Sequence, residues 1–178
     1  VERSRGLGDV YKRQLIDNPM RLIDDIIPEP SKEESIQALL SAQDLAFKYG
    51  LTTISDAGLT KEQIYLIDEL QKDGALKIKI YAMIENDPNS LEHFLELGPY
   101  KTDRLNVRSV KVYVDGALGS RGALLIDDYS DRKGFKGIIR TPVDSVNKLA
   151  LRLSGTKFQM NTHACLLYTS PSPRDLST

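Results

Sequence analysis

The chain has 178 residues, with 24 lysines and arginines against 25 aspartates and glutamates. This near-neutral balance, without a basic stripe or a clustered cationic helix, gives no support for nucleic-acid binding. The single cysteine, Cys165, excludes an internal disulfide and a cysteine-based zinc site, and no apolar run approaches the roughly 18 residues of a membrane span. We therefore expect no nucleic-acid or membrane partner, and we predict a cytoplasmic location.

Helix and strand patterns alternate along the first half of the chain. A capping box at residues 31–34 predicts a helix to about Tyr49 with an apolar stripe, and residues 51–55 are predicted as a strand. Thr60 is the predicted cap of a second helix, which ends at residues 73–74, and residues 77–84 alternate as a second strand. Asn89 and Ser90 then begin a short helix to Leu97. Such alternation predicts parallel βα units.

The second half of the chain continues this alternation. A third strand ends near residue 115 and is followed by a long loop to about Thr141, a helix from Pro142 to Leu153 and a fourth strand at residues 158–163. Four strands with their helices predict an α/β fold. A complete (β/α)8 barrel has eight strands and needs about 250 residues, more than the 178 of this chain, so the four predicted strands make up at most half of one.

Two of these strands carry a chemically useful side chain near their carboxyl ends. In the third strand the valines at 110, 112 and 114 form one phase, and Lys111 lies in the other, polar phase. In the fourth strand His163 shares the phase of Gln159 and Asn161. Parallel α/β folds keep their chemistry at the carboxyl ends of the strands, so we expect Lys111 and His163 to face one cavity.

Three stretches of the sequence resemble the metal-dependent amidohydrolases. They are GLTTISDAG at residues 50–58, VKVYVDGALGSR at residues 110–121 and NTHA at residues 161–164, in the order that this superfamily shows. Within the superfamily the chain is most similar to amidohydrolase family three, which includes N-substituted formamide deformylase. The resemblance implies that the four predicted strands are strands two to five of a partial (β/α)8 TIM barrel.

The resemblance also implies a metal centre. A lysine in a protein interior is driven toward its neutral amine, which can react with carbon dioxide to give a carbamate that bridges two divalent metals. By resemblance Lys111 is this carboxylated lysine and His163 ligates the second metal, with zinc the favoured ion and one or two ions in an intact enzyme. The implied reaction is hydrolysis of an amide or other C–N bond in a small molecule by metal-activated water.

Several other polar residues are weaker candidates. Asp115 and Arg121 match the family's Asp-Gly-x-x-Gly-Ser-Arg motif and are predicted to contact substrate, with ordering of the loop as the alternative for Asp115. Glu85 and Asp56 end predicted strands and would line the barrel mouth, although a capping or turn role suits Asp56 better. His93 is predicted to lie at the surface of its helix.

The two ends of the chain differ from the rest. Residues 1–14 and 165–178 lack helical and strand periodicity and resemble translated sequencing-adapter read-through, the second stretch beginning directly after the NTHA motif. We therefore expect a partial barrel domain at residues 15–164 between two non-native tails. The family's His-x-His pair, a further histidine and an aspartate general base would lie outside it, so we assign no catalytic residue and expect the chain itself to be inactive.

Two other interpretations stay open. In one, a non-metal α/β barrel or doubly wound domain binds a phosphorylated metabolite and uses the loop at residues 116–122 as its anion cradle, although the glycine spacing matches no phosphate motif. In the other, the chain cannot close its sheet and has no function of its own. An upstream strand with His-x-His would favour the hydrolase, and an upstream phosphate motif would favour the metabolite-binding protein.

Overall fold

The structure is a computed structural model that describes Ile23 and residues 26–165. Along these residues the elements are α1 (Lys32–Lys48), β1 (Thr53–Leu59), α2 (Lys61–Lys72), β2 (Lys79–Glu85), α3 (Pro88–Leu97), β3 (Tyr100–Lys101), β4 (Leu105–Tyr113), α4 (Val143–Ser154) and β5 (Gln159–His163). The predicted tails fall outside this part of the chain, except for Cys165, which is its last residue.

The first two helices begin where the sequence predicts. The Ser31 hydroxyl accepts a hydrogen bond from the Glu34 amide at 3.1 Å, and the Glu34 carboxylate accepts one from the Ser31 amide at 2.8 Å. Thr60 forms the same reciprocal capping box at the start of α2. α3 begins slightly earlier than predicted, because the carboxylate of Asp87 accepts a hydrogen bond from the Ser90 amide at 3.0 Å and caps the helix.

The predicted α/β architecture is confirmed. β1, β2 and β4 run parallel in that order, and β5 pairs with β4, so these four strands correspond to the four predicted ones. The short β3, antiparallel to β4, was not predicted. β1 also extends past Ser55 to Leu59, and Gly58, whose φ is 103°, is the single extra residue at a register shift between Ala57 and Leu59.

The described residues divide into two compact units. The first, here called the sheet unit, contains Pro30–Val112 and Val143–Thr162, and its core is formed by apolar side chains of the helices and strands. The second, the loop unit, contains Tyr113–Pro142 and residues 163–165 of the described chain. Its buried residues include Val114, Asp115, Ala123 and Tyr129.

The apolar stripe predicted for α1 is only partly right. Of the predicted residues, Ala46 is buried, whereas Phe47 is 40% exposed. Gln43 is buried instead, because its side-chain oxygen accepts hydrogen bonds from the amides of Lys77 and Ile78. None of the helices in the described part of the chain combines the length and hydropathy needed to cross a lipid bilayer.

Candidate functional site

The register of the sheet separates an apolar face from a polar one. Three residues of β2 lie beside three of β4, and all six are buried: Ile80, Ala82, Ile84, Leu105, Val107 and Val110. The valines at 110, 112 and 114, predicted to share the apolar phase, are 0%, 1% and 6% exposed. The predicted phase of the lysine strand is therefore confirmed.

An irregularity in β4 maintains this separation. Ala82 pairs with Val107 and the next residue of β2, Met83, pairs with Ser109, so Arg108 is an extra residue in β4. If Arg108 were paired regularly, the alternation that buries Val107 would also have buried Lys111 instead of Val110. The bulge thus puts Lys111 on the polar face.

The polar face is joined across the sheet by side-chain hydrogen bonds. Tyr81 of β2 donates from its hydroxyl to the side-chain oxygen of Gln159 at 3.0 Å. Asn161 donates from its side-chain amide to the hydroxyl of Ser109 at 3.1 Å. Gln159 and Asn161 of β5 therefore lie on the same side of the sheet as Ser109, in the phase that the sequence predicts.

Lys111 lies on this polar face, close to the carboxyl end of β4. It is half-buried, and its register partner on β2 is Glu85, the last residue of that strand. In a parallel pair, register partners point to the same face, so the two side chains are neighbours. Partial burial and the nearby carboxylate of Asp87 raise the pKa of Glu85 above its usual 4.5.

His163 is the last residue of β5 and belongs to the loop unit. Its carbonyl oxygen accepts a hydrogen bond from the amide of Val114 at 3.0 Å. Its ring nitrogen Nε2 lies 3.4 Å from the carbonyl oxygen of Gly116 and 3.5 Å from the sulfur of Cys165. Cys165 belongs to the predicted tail, so this proximity was not predicted.

Asp115 is fully buried in the loop unit, at 0% exposure. One carboxylate oxygen accepts a hydrogen bond from the amide of Leu124 at 3.0 Å, and the other accepts one from the amide of Cys165 at 2.9 Å. At 0% exposure, this carboxylate is out of reach of a substrate in the present arrangement. The geometry thus favours the loop-ordering alternative for Asp115.

Arg121 lies in the same loop with a φ of 60°. Its guanidinium forms a forked ion pair with Asp131, with Nη2 2.7 Å from Oδ2 and Nε 3.1 Å from both carboxylate oxygens. The Arg121 side chain is 40% exposed, and its hydrogen bonds, together with its charge, lower the pKa of Asp131. Arg121 is thus held in one orientation at the loop surface.

The two remaining candidates lie outside this arrangement. Asp56 lies within β1, because the strand continues to Leu59, so a turn or capping role for it is wrong. His93 lies on α3, with Nε2 2.7 Å from the hydroxyl of Tyr65 on α2, as suits its predicted place at the helix surface.

The loop at residues 116–122 uses three of its main-chain N–H groups for hydrogen bonds within the loop. The amides of Gly116 and Gly122 donate to carbonyl oxygens within the loop at 3.0 and 2.9 Å, and the amide of Arg121 donates to Leu118 at 2.9 Å. An anion cradle needs several main-chain N–H groups directed at the ligand. The loop uses these three groups to close on itself, which counts against the metabolite-binding interpretation.

The described residues do not make up a complete metal site. Between residues 26 and 165, no three histidine, cysteine, aspartate or glutamate side chains lie close enough together to hold a metal ion. Lys111 and His163 would supply two donors, fewer than a zinc site requires. A cavity of about 360 Å³ lies at the amino ends of β2 and β4, lined by Asp68, Gln71, Lys72, Gly74, Lys77, Thr102, Asp103 and Arg104, so it does not include the candidate ligands.

Two solved structures share this fold. The chain is 25% identical to an uncharacterized metal-dependent hydrolase from Pyrococcus furiosus, with a TM-score of 0.71 over 83% of this chain and 31% of the other. A similar hydrolase from Pyrococcus horikoshii OT3 is 21% identical, with a TM-score of 0.75 over 90% of this chain and 34% of the other. The chain has a metal-dependent hydrolase fold, and the predicted partial barrel agrees with it.

The sequence comparison gives a further relative. The Arabidopsis thaliana protein LONG AFTER FAR-RED 3, whose name states no chemical activity, is 26% identical over 162 residues, covering 84% of this chain and 28% of that protein. No family model matches the chain. The chain thus spans about a third of the length of the proteins it resembles. Membership of amidohydrolase family three stays a prediction.

Proposed function

We propose that the chain is part of a metal-dependent hydrolase that cleaves an amide or another C–N bond of a small molecule, with Lys111 and His163 as ligands of a divalent metal. The observation that carries this proposal is the location of Lys111, half-buried on the polar face of β4 beside the last residue of β2. Reactive groups of parallel α/β folds gather at such strand ends. The Pyrococcus hydrolases support the reaction class, and the motif at residues 110–121 suggests the bond.

The chemistry proposed for Lys111 requires carbon dioxide as a co-reactant. A bond forms between Nζ and the carbon of CO₂, a proton leaves to solvent, and the resulting carbamate shares one negative charge between two oxygens. Zinc binds carboxylate-type oxygen and imidazole nitrogen readily, so a carbamate at Lys111 and the ring of His163 form a chemically consistent pair of ligands. When bound, a divalent metal would polarise the substrate carbonyl and activate water.

The other members of the site are proposed to come from outside residues 26–165, in keeping with the share of its relatives that the chain spans. This applies to the remaining ligands and to the general base. Arg121 is the proposed substrate contact, because its guanidinium reaches the loop surface in a fixed orientation. Asp115 would act indirectly, since both of its oxygens accept main-chain hydrogen bonds.

Two protein donors with solvent water still bind Zn²⁺ weakly, so weak zinc binding to the full chain tests the proposed ligands. Lys111→Ala and His163→Ala should each lower the affinity for Zn²⁺ by at least about tenfold, because losing even a group that only supports a ligand lowers metal affinity by about that factor. The affinity is measured by competition with a chromophoric chelator in bicarbonate buffer. Lys79→Ala is the control for Lys111→Ala, because Lys79 lies at the other end of β2 from Glu85, the register partner of Lys111. His93→Ala is the control for His163→Ala, because the chain has two histidines.

The carbamate has its own signature. In ¹³C-labelled bicarbonate, a carbonyl signal of the wild-type chain should disappear in Lys111→Ala and persist in Lys79→Ala. Acetate should restore part of the zinc affinity of Lys111→Ala, because its two oxygens replace those of the carbamate. Wild-type zinc affinity in both Lys111→Ala and His163→Ala would refute the proposed function.

A further inference from the structure

Three consecutive residues that follow β4 hold the end of β5 within the loop unit. The amide of Val114 donates to the carbonyl oxygen of His163 at 3.0 Å, and the carbonyl oxygen of Gly116 lies 3.4 Å from Nε2 of the same histidine. Between them, the carboxylate of Asp115 accepts a hydrogen bond from the amide of Cys165 at 2.9 Å. His163 is thus held at its own carbonyl group and at the residue two positions after it.

The second oxygen of Asp115 makes the carboxylate a bridge. It accepts a hydrogen bond from the amide of Leu124 at 3.0 Å, so one buried side chain ties the long loop to the residue two positions after His163. Hydrogen bonds from main-chain N–H groups to an ionised carboxylate are among the stronger ones in proteins. Both donors are main-chain groups, so the bridge does not depend on the side chain at position 165.

We propose that Asp115 is a positioning residue, which sets the orientation of the His163 imidazole by fixing the main chain on its carboxyl side. This inference rests on the proposed role of His163 as a metal ligand. A ligand side chain is useful only if its nitrogen is directed toward the metal before the metal binds, and supporting hydrogen bonds provide that direction. Asp115 supports it through the backbone, with no contact to the imidazole itself.

Asp115→Asn in the full chain tests the inference. The substitution keeps the shape of the side chain, but it turns one acceptor into an NH₂ group that faces a main-chain N–H. Asp128→Asn is the matched control: the carboxylate of Asp128 accepts a hydrogen bond from the amide of Gly134 at 2.7 Å in the same loop. The measurements are hydrogen exchange of the Leu124 and Cys165 amides, the imidazole ¹⁵N–¹H correlations of the metal-free chain at one fixed pH, and Zn²⁺ affinity.

We expect Asp115→Asn to increase exchange at Leu124 or Cys165 at least tenfold, to shift the imidazole signals of His163, and to lower Zn²⁺ affinity by about 10- to 100-fold. The signals of His93 serve as an internal reference, because the chain has two histidines. Asp128→Asn should leave the amide exchange of Leu124 and Cys165, the imidazole signals of His163 and the Zn²⁺ affinity unchanged. If Asp115→Asn loses the native circular dichroism spectrum, Asp115→Ser, which keeps one acceptor, replaces it.

Faster exchange at Cys165 with unchanged His163 signals would overturn the inference and leave Asp115 with a purely structural role. The proposed function fails by a different result, namely wild-type zinc affinity in both Lys111→Ala and His163→Ala. In that case the imidazole signals of the metal-free chain still decide whether Asp115 orients His163.

Discussion

The buried side chain of Gln43 allows a prediction with a defined size. Its oxygen accepts hydrogen bonds from the amides of Lys77 and, at 3.1 Å, Ile78, and so it ties α1 to the segment that leads into β2. Gln43→Leu keeps a similar volume and leaves both amides without this acceptor. Ile78 is 1% exposed, so its unsatisfied N–H costs about 1–3 kcal/mol, and the amide of the exposed Lys77 costs less. We expect the free energy of unfolding to fall by about 2 kcal/mol.

Urea denaturation followed by far-ultraviolet circular dichroism measures this change, because the chain has no tryptophan for fluorescence. Gln37→Leu is the matched control, since it makes the same chemical change at an exposed position of the same helix. A decrease in Gln43→Leu no larger than that in Gln37→Leu would show that the hydrogen bonds to residues 77 and 78 contribute nothing measurable.

Two further predictions concern the loop and the strand end. A Cβ at Gly137 would lie 1.9 Å from the carbonyl oxygen of Ala123, whereas one at Gly134 would meet no atom within 4 Å, and both glycines have positive φ angles of 105° and 76°. Gly137→Ala should therefore lower the melting temperature more than Gly134→Ala, and equal melting temperatures would contradict the close approach. The raised pKa of Glu85 means that the folded state holds its proton more tightly than the unfolded state. Stability from this group is full below about pH 4.5 and is lost as the pH rises through the folded-state pKa. Glu85→Gln should thus lose less stability than wild type in urea titrations taken from acidic to neutral pH, and an identical pH dependence would refute the shift.

The strand phases could be predicted because they depend on a short-range rule. Alternation of valine with polar residues around Lys111 indicates which face is buried, and it can be read from neighbouring residues alone. The capping boxes at Ser31 and Thr60 are equally local, since each involves side chains three residues apart. The fold class follows from the order of such elements, and the likeness to metal-dependent hydrolases agrees with it.

Features that depend on distant partners were not predicted. Asp68 of α2 is buried at 5% exposure because it accepts hydrogen bonds from Lys72 at 2.6 Å and from the hydroxyl of Tyr100 at 2.9 Å. Tyr100 belongs to β3, a two-residue strand too short to give a periodic signal. The extra residue Arg108 in β4 is similarly defined only by its pairing with β2. In each case the missing information was a contact between residues far apart in sequence.

The candidate site shows the same division between local and distant information. The sequence predicts Lys111 and His163 as candidate ligands, because both stand at recognisable strand ends. It does not predict how they are held, because the supports are main-chain groups of the long loop. The amide of Val114 donates to the carbonyl oxygen of His163 at 3.0 Å, and the amide of Arg140 donates to the carbonyl oxygen of Val114 at 2.8 Å. The hydroxyl of Thr141 donates to the carbonyl oxygen of Tyr113 at 2.7 Å. The loop is thus attached to the strand end by its backbone, which the pattern of side chains in the sequence does not reveal.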